Sequence, residues 1–154
     1  MAAYLLDSSA AVKLYVAERG SGWLIALADP TLAHELFIIR ITAVEIAAAL
    51  YRRARTGALT IAQAATTMSA LRRDVASTYR VIEVSPVLLD QALIVAEHRG
   101  LRGYDCVQLA GALLTHQARL AVGLSPLILV SADAELNAAA TLEGLQVDDP
   151  NHYP

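Results

Sequence analysis

The chain alternates short apolar runs with longer stretches in which apolar residues recur at helical spacing. Five strands are predicted, at AYLL (3–6), FIIRI (37–41), RVIEV (80–84), LILVS (127–131) and LQV (145–147). The segments between them predict helices, at 9–18, 21–28, 42–57, 60–78, 85–100, 104–118 and 133–144. Strands that alternate with helices favour a parallel sheet covered on both faces. We therefore predict an α/β fold, an α/β/α sandwich around a central, mainly parallel sheet.

The alternation continues through the whole sequence without a repeat, a low-complexity segment or a linker. A chain of 154 residues is long enough to bury a core of its own. We therefore expect residues 1–154 to form a single domain.

Hydrophobic residues make up 56% of the chain and its mean hydropathy is +0.45, values high enough to ask whether it enters a membrane. The longest uncharged runs, 106–118 and 120–132, are shorter than the roughly 20 apolar residues that span a bilayer, so no membrane span is expected. The opening MAAYLLD has no basic region and predicts no secretory signal. The single cysteine, Cys106, excludes an internal disulfide and fits a reducing cytoplasm, which is the expected location.

The basic residues are few but almost all of one kind. The net charge of −3 argues against a general polyanion binder, yet eleven of the twelve basic residues are arginine, which suits bidentate contact with phosphate or carboxylate. Five of these arginines lie in YRRAR (51–55) and LRR (71–73). They form either a solvated face, a surface that grips a substrate backbone, or a contact with a partner.

Four acidic residues lie at predicted helix starts, and at least three of them follow a predicted strand closely: Asp7, Glu45, Asp105 and Asp133. Each one alone has a simple explanation, because acids are favourable in a first helical turn. Asp7 and Asp133 could be N-caps, and Thr42-x-x-Glu45 has the form of a capping box. Capping does not account for the four acids as a group, because the carboxyl ends of parallel strands would bring their charges to one edge of the sheet. Crowded carboxylates take up a proton or meet a cation, and oxygen ligands suit Mg²⁺ or Mn²⁺.

The order of four segments resembles that of the PIN domains, specifically the toxin ribonucleases of VapC type. The matching segments are YLLDSSAAVKLY with Asp7 and Ser9, ITAVEIAAAL with Glu45, LRGYDCVQLAGAL with Arg102 and Asp105, and LVSADAEL followed by GLQVDDP with Ser131 and Asp133. The resemblance covers nearly the whole length. The sequence departs from the family at Gln108, where many relatives carry a histidine, and in residues 116–126, which are longer than the usual connection.

The resemblance implies a function and a set of roles. The chain would be a Mg²⁺- or Mn²⁺-dependent endoribonuclease whose catalytic and metal-binding residues are the four acids, with metal-bound water as the nucleophile. Ser9 and Ser131 would hydrogen-bond the ligands or water, or alternatively cap helices. Arg102 would face phosphate or neutralise the acids, and Arg52 and Arg53 would contact the substrate.

Relatives of this type are held inactive by a small antitoxin, so the expected partners are an RNA substrate, an antitoxin and a second copy of the chain as a homodimer. Two alternatives remain: a PIN nuclease of RNA processing that is not a toxin, and a non-catalytic protein-binding module. Two other classes of protein fit less well. A haloacid dehalogenase phosphatase needs an aspartate where Ser9 stands, and a receiver domain needs a late lysine, whereas Lys13 is the only lysine.

Overall fold

The computed structural model describes residues 1–154 and contains one five-stranded sheet. Its strands are β1 (Ala3–Leu6), β2 (Glu35–Ile39), β3 (Arg80–Ile82), β4 (Leu127–Val130) and β5 (Gln146–Asp148). They pair in the order β3-β2-β1-β4-β5, and every pair is parallel. The predicted α/β architecture is confirmed, and the sheet is wholly parallel.

Seven α-helices connect the strands and cover both faces of the sheet, giving the predicted α/β/α sandwich. They are α1 (Ser8–Ala11), α2 (Ser21–Leu27), α3 (Arg40–Arg55), α4 (Ile61–Ser77), α5 (Pro86–Arg99), α6 (Gly103–Ala121) and α7 (Ala134–Leu142). Helices α1 to α4 bury one core with Leu6 and Ile38, and α5 to α7 bury the other with Leu5 and Leu129. None of the helices combines the length and apolar character needed to cross a membrane.

The central strand β1 explains why its sequence is a continuous apolar run. Successive side chains of a strand point to opposite faces, so Leu5 enters one core and Leu6 enters the other. The strand order changes direction at β1, because β2 lies on one side of it and β4 on the other. This arrangement leaves a crevice where sites form in open parallel sheets.

The boundary between β2 and α3 differs from the prediction. The strand was predicted at 37–41, but it ends at Ile39, and Arg40 already begins the helix. The predicted capping box is wrong, because Thr42 lies inside α3 and is fully buried, while Ile39 occupies the cap position without a side-chain hydrogen bond. A short β-branched run does not distinguish the end of a strand from the first turn of a helix that follows without a loop.

Helix α1 is shorter than predicted and closes early. After Ala11 the chain makes one 3₁₀ turn, Val12–Leu14, instead of continuing to Glu18. Ser21 Oγ donates to the Lys13 carbonyl (2.8 Å) and accepts from the Glu18 amide (2.9 Å). These side-chain bonds compete with helix continuation and join the start of α2 to the 3₁₀ turn.

The long 116–126 connection lengthens α6, which continues to Ala121. Arg119 near its end is buried, forms an ion pair with Glu35 and donates to the Ser125 carbonyl at 2.9 Å. Its guanidinium lies 5.6 Å from the centre of the Phe37 ring. Arg119 therefore anchors the end of α6 near the amino end of β2, opposite the predicted site, while residues 120–126 are exposed.

Candidate metal centre

Asp7 is the first residue after β1, and its carboxylate is almost fully enclosed, with 3% of the residue exposed. It caps α1 by accepting from the Ala10 amide at 2.8 Å. Ser9 Oγ donates to the same carboxylate (2.7 Å to Oδ1), and Ser131 Oγ donates to Oδ2 at 3.0 Å. No basic side chain forms an ion pair with it. The capping explanation is thus correct for Asp7, and it accounts for only one of the two carboxylate oxygens.

Burial raises the pKa of Asp7 to about 6, although the hydrogen bonds from Ser9, Ala10 and Ser131 oppose the rise. Hydroxyl and amide donors therefore do not compensate fully for the loss of water. The site contains an anion that a positive charge would stabilise.

Asp133 caps α7 in the same manner at the end of β4. Its Oδ1 accepts from the amides of Glu135 (2.8 Å) and Leu136 (3.0 Å), so Oδ2 remains outside these bonds. Ser131 connects the two caps, because its hydroxyl donates to Asp7 and accepts from the Asp133 amide at 3.0 Å. The carboxyl ends of β1 and β4 are joined through one serine.

Glu45 and Asp105 complete the predicted set of acids from the helices on either side. Glu45 lies in the second turn of α3, and burial raises its pKa, to which the charge of Asp105 adds. Asp105 lies in the first turn of α6, where burial raises its pKa and the charges of Asp133 and Glu135 raise it further, while Arg102 opposes them. The pKa values of Glu45 and Asp105 are thus both raised in part by the charge of another acid. The predicted acids all lie at the edge of the sheet formed by the carboxyl ends of the strands, and we call this set the acidic rim: Asp7, Glu45, Asp105 and Asp133.

The donor set of the acidic rim fits a hard divalent cation, because it offers carboxylate oxygens and no nitrogen or sulfur ligand. Three of its four members have a raised pKa, so a cation would relieve both burial and mutual repulsion. No three acidic, histidine or cysteine side chains lie close enough together to hold an ion in the present conformation. The acidic rim is therefore an open arrangement and its role as a metal site stays a prediction.

A cleft of about 860 Å³ opens beside the acidic rim. Its lining includes Ser9, Glu45, Arg52, Arg53 and Tyr104. Arg102, the third arginine predicted to contact the substrate, is exposed and lies beside Asp105, whose charge it partly neutralises. Two of the three predicted substrate arginines thus line the same cleft as Glu45, the one acid of the rim that lines it.

Two residues that contact the predicted site residues, Glu18 and Gln108, were not predicted from the sequence to do so. Glu18 forms ion pairs with Arg53 and with the buried amine of Lys13 (3.5 Å to the latter). Gln108, noted only as a departure from the family, donates to Glu45 from Nε2 at 3.4 Å. The available signal was a polar residue three positions after Asp105, on the helical face that also carries the buried Leu109.

No family model matches the chain, and no curated protein matches it. The solved structures similar to it include PAE2754 from Pyrobaculum aerophilum, at 27% identity and a TM-score of 0.64 over 98% of this chain and 85% of that one. A toxin–antitoxin complex from Klebsiella pneumoniae matches at 18% identity and a TM-score of 0.63 over 96% and 97% of the two chains. VapBC2 from Rickettsia felis, bound to a DNA fragment from its promoter, matches at 11% identity and a TM-score of 0.62 over 96% of this chain and 98% of that one. These likenesses confirm, in fold, the resemblance to PIN domains of VapC type.

The raised pKa of Asp7 predicts how Asp7→Asn changes stability with pH. The native carboxyl binds a proton more readily than the unfolded one, so its ionisation destabilises the fold as the pH rises through about 6. Without divalent cations, the variant should be more stable than the parent at pH 7.5, by at most on the order of 3 kcal/mol. The difference should shrink towards pH 4, where the parent carboxyl is neutral. Urea unfolding at several pH values measures it, and a difference that does not depend on pH would contradict the assignment.

Proposed function

We propose that this chain, which has the PIN-like fold of proteins found in toxin–antitoxin complexes, is a toxin that cleaves RNA with Mg²⁺ or Mn²⁺. The observation that carries the proposal is the buried Asp7 carboxylate, held without a basic partner directly after the central strand. A pure capping role would not require such burial. The solved structures add that chains of this fold assemble with antitoxins.

The residues that would hold the ion are Asp7, Glu45, Asp105 and Asp133. Once bound, the ion would activate water for attack on the phosphodiester and neutralise charge on the phosphate. Ser131 and Ser9 orient the Asp7 carboxylate from two sides, which fixes its direction towards the rim. The free Oδ2 of Asp133 is available for a ligand bond without loss of the helix cap.

The arginines of the cleft would bind the RNA backbone. Arg53 is already paired with Glu18, whereas Arg52 is exposed and forms no ion pair, so Arg52 is the stronger candidate for phosphate contact. Tyr104 is the one aromatic residue that lines the cleft and could stack on a base. With so little aromatic surface, recognition should depend on RNA shape and on arginine–phosphate contacts in single-stranded or looped segments.

The cleft also fits the expected antitoxin. Its floor includes the side chains of Val44, which is 58% exposed, and of Ala48 and Val12, while Arg52 and Arg53 line its edge. An apolar floor beside charged residues suits one face of an amphipathic helix. A second apolar surface on α5, where Val87 and Leu93 are 65% and 64% exposed, would serve the expected homodimer.

Asp7→Asn should abolish cleavage of RNA in Mg²⁺ or Mn²⁺, because it removes the most buried anion of the rim. Asp90→Asn, an equivalent change on the exposed face of α5, is the matched control and should cleave normally. EDTA should stop cleavage by the parent and by the control. Cleavage by folded Asp7→Asn at the parental rate would refute the metal mechanism. A parent that does not cleave RNA at all would favour the non-catalytic module, which the spacing of the acids also allows.

Arg52→Gln should raise KM for RNA several-fold and leave kcat nearly unchanged, since it removes a backbone contact and no metal ligand. The salt dependence of binding should weaken by roughly one phosphate contact. Arg55→Gln is the control, because Arg55 lies on the same helix, is exposed and does not line the cleft. Equal effects of the two variants would indicate a general charge effect instead of a specific contact.

Co-expression with a neighbouring small reading frame should yield a stable complex in which cleavage is inhibited. Val44→Arg should prevent that complex, because it places a charge on the apolar floor, and it should leave the homodimer intact. Val87→Arg on α5 is the matched variant. It should disrupt the homodimer and leave the complex with the antitoxin intact. Light scattering of each purified protein measures the mass of the homodimer and the mass of the complex with the antitoxin. Normal antitoxin binding by Val44→Arg would move the docking surface away from the cleft.

A further inference from the structure

We infer that Gln108 is a positioning residue, which sets the direction of the Glu45 carboxylate through a hydrogen-bond chain that begins at Thr42. The inference rests on the proposed function, because it assigns to Gln108 a part of the metal affinity of the acidic rim. It also gives the one departure from the family pattern inside the site a specific role in this chain.

The chain of contacts joins two helices that are distant in sequence. Gln108 on α6 is 1% exposed and Thr42 on α3 is fully buried. Nε2 of Gln108 donates to Thr42 Oγ1 at 2.8 Å and to Glu45 Oε2 at 3.4 Å. The two hydrogens of one amide nitrogen are thus both directed to α3, one to a fixed hydroxyl and one to an acid of the rim.

The oxygen of the same amide shows that packing alone does not explain a glutamine at position 108. Gln108 Oε1 is buried and has no hydrogen-bond partner. A methionine would fill the same volume without leaving an acceptor unpaired, so an amide is unfavourable here unless its nitrogen has a use. The two contacts of Nε2 provide that use, and the shorter one, to Thr42, fixes the plane of the amide.

The close approach of α6 to the β2–α3 corner maintains this geometry. A Cβ atom added to Gly111, one turn after Gln108, would lie 2.4 Å from Cδ1 of Ile39, the cap residue of α3. A larger residue at position 111 would force the Ile39 side chain to move. Glycine therefore lets Ile39 pack closely on α6, beside the contacts that Gln108 makes with Thr42 and Glu45.

Four variants separate positioning from packing. Gln108→Met keeps the volume and removes the donor, and Thr42→Val keeps the shape and removes the hydroxyl that orients the amide. Thr42→Ser restores that hydroxyl, and Gln117→Met is an exposed control on the same helix. Mn²⁺ affinity measured by titration calorimetry is the principal readout, with thermal unfolding and RNA cleavage measured alongside.

Gln108→Met should bind Mn²⁺ about tenfold more weakly, while its thermal transition is unchanged or raised by the loss of the unpaired acceptor. Thr42→Val should weaken Mn²⁺ binding in the same direction, and Thr42→Ser and Gln117→Met should bind as the parent does. Parental affinity in both Gln108→Met and Thr42→Val, when Asp7→Asn has lost affinity, would overturn the positioning role alone. A parent that binds no Mn²⁺ would overturn the proposed function together with this inference.

Discussion

A buried anion without a countercharge is the constraint around which the edge of this sheet is organised. Asp7 ends the central strand, and the groups that hold it come from both sides, Ser9 and the start of α1 on one and Ser131 on the other. Dipolar donors stabilise a desolvated carboxylate less well than water does, which is why its pKa rises. The fold tolerates this cost because two separate apolar cores cover the sheet. A cation at the rim would recover what burial costs.

The strand order determines which charges meet. With β1 between β2 and β4, the helices that follow these strands start at the same edge, and they carry Glu45 and the capping Asp133 to Asp7. Glu45 of the acidic rim and the arginines of α3 line the same cleft. A polyanion lying in the cleft would therefore contact positive charge close to one of the acids.

The sequence predicts the alternation of strands and helices well, because each strand is a short apolar run and several helices carry clear caps, as at Ser85 and Thr60. It also predicts that Asp7 and Asp133 follow strands at the same edge of the sheet, since parallel strands end at one edge. Predictions failed where a local pattern has two solutions. The Thr42 hydroxyl has the right spacing for a cap, but it turns inward to Gln108 instead. The end of α1 depends on Ser21, which is distant enough in sequence that no local pattern contains it.

The pairing of β1 with β4 has a consequence for the timing of synthesis. Asp7 is synthesised before β2 and β3, but Ser131 follows β4, which comes later in the chain than both of them. Until β4 has been synthesised, a nascent chain therefore has a central strand with one open edge and an Asp7 carboxylate that lacks its second serine donor. Topology alone thus delays completion of the surroundings of Asp7 until β4 has paired with β1.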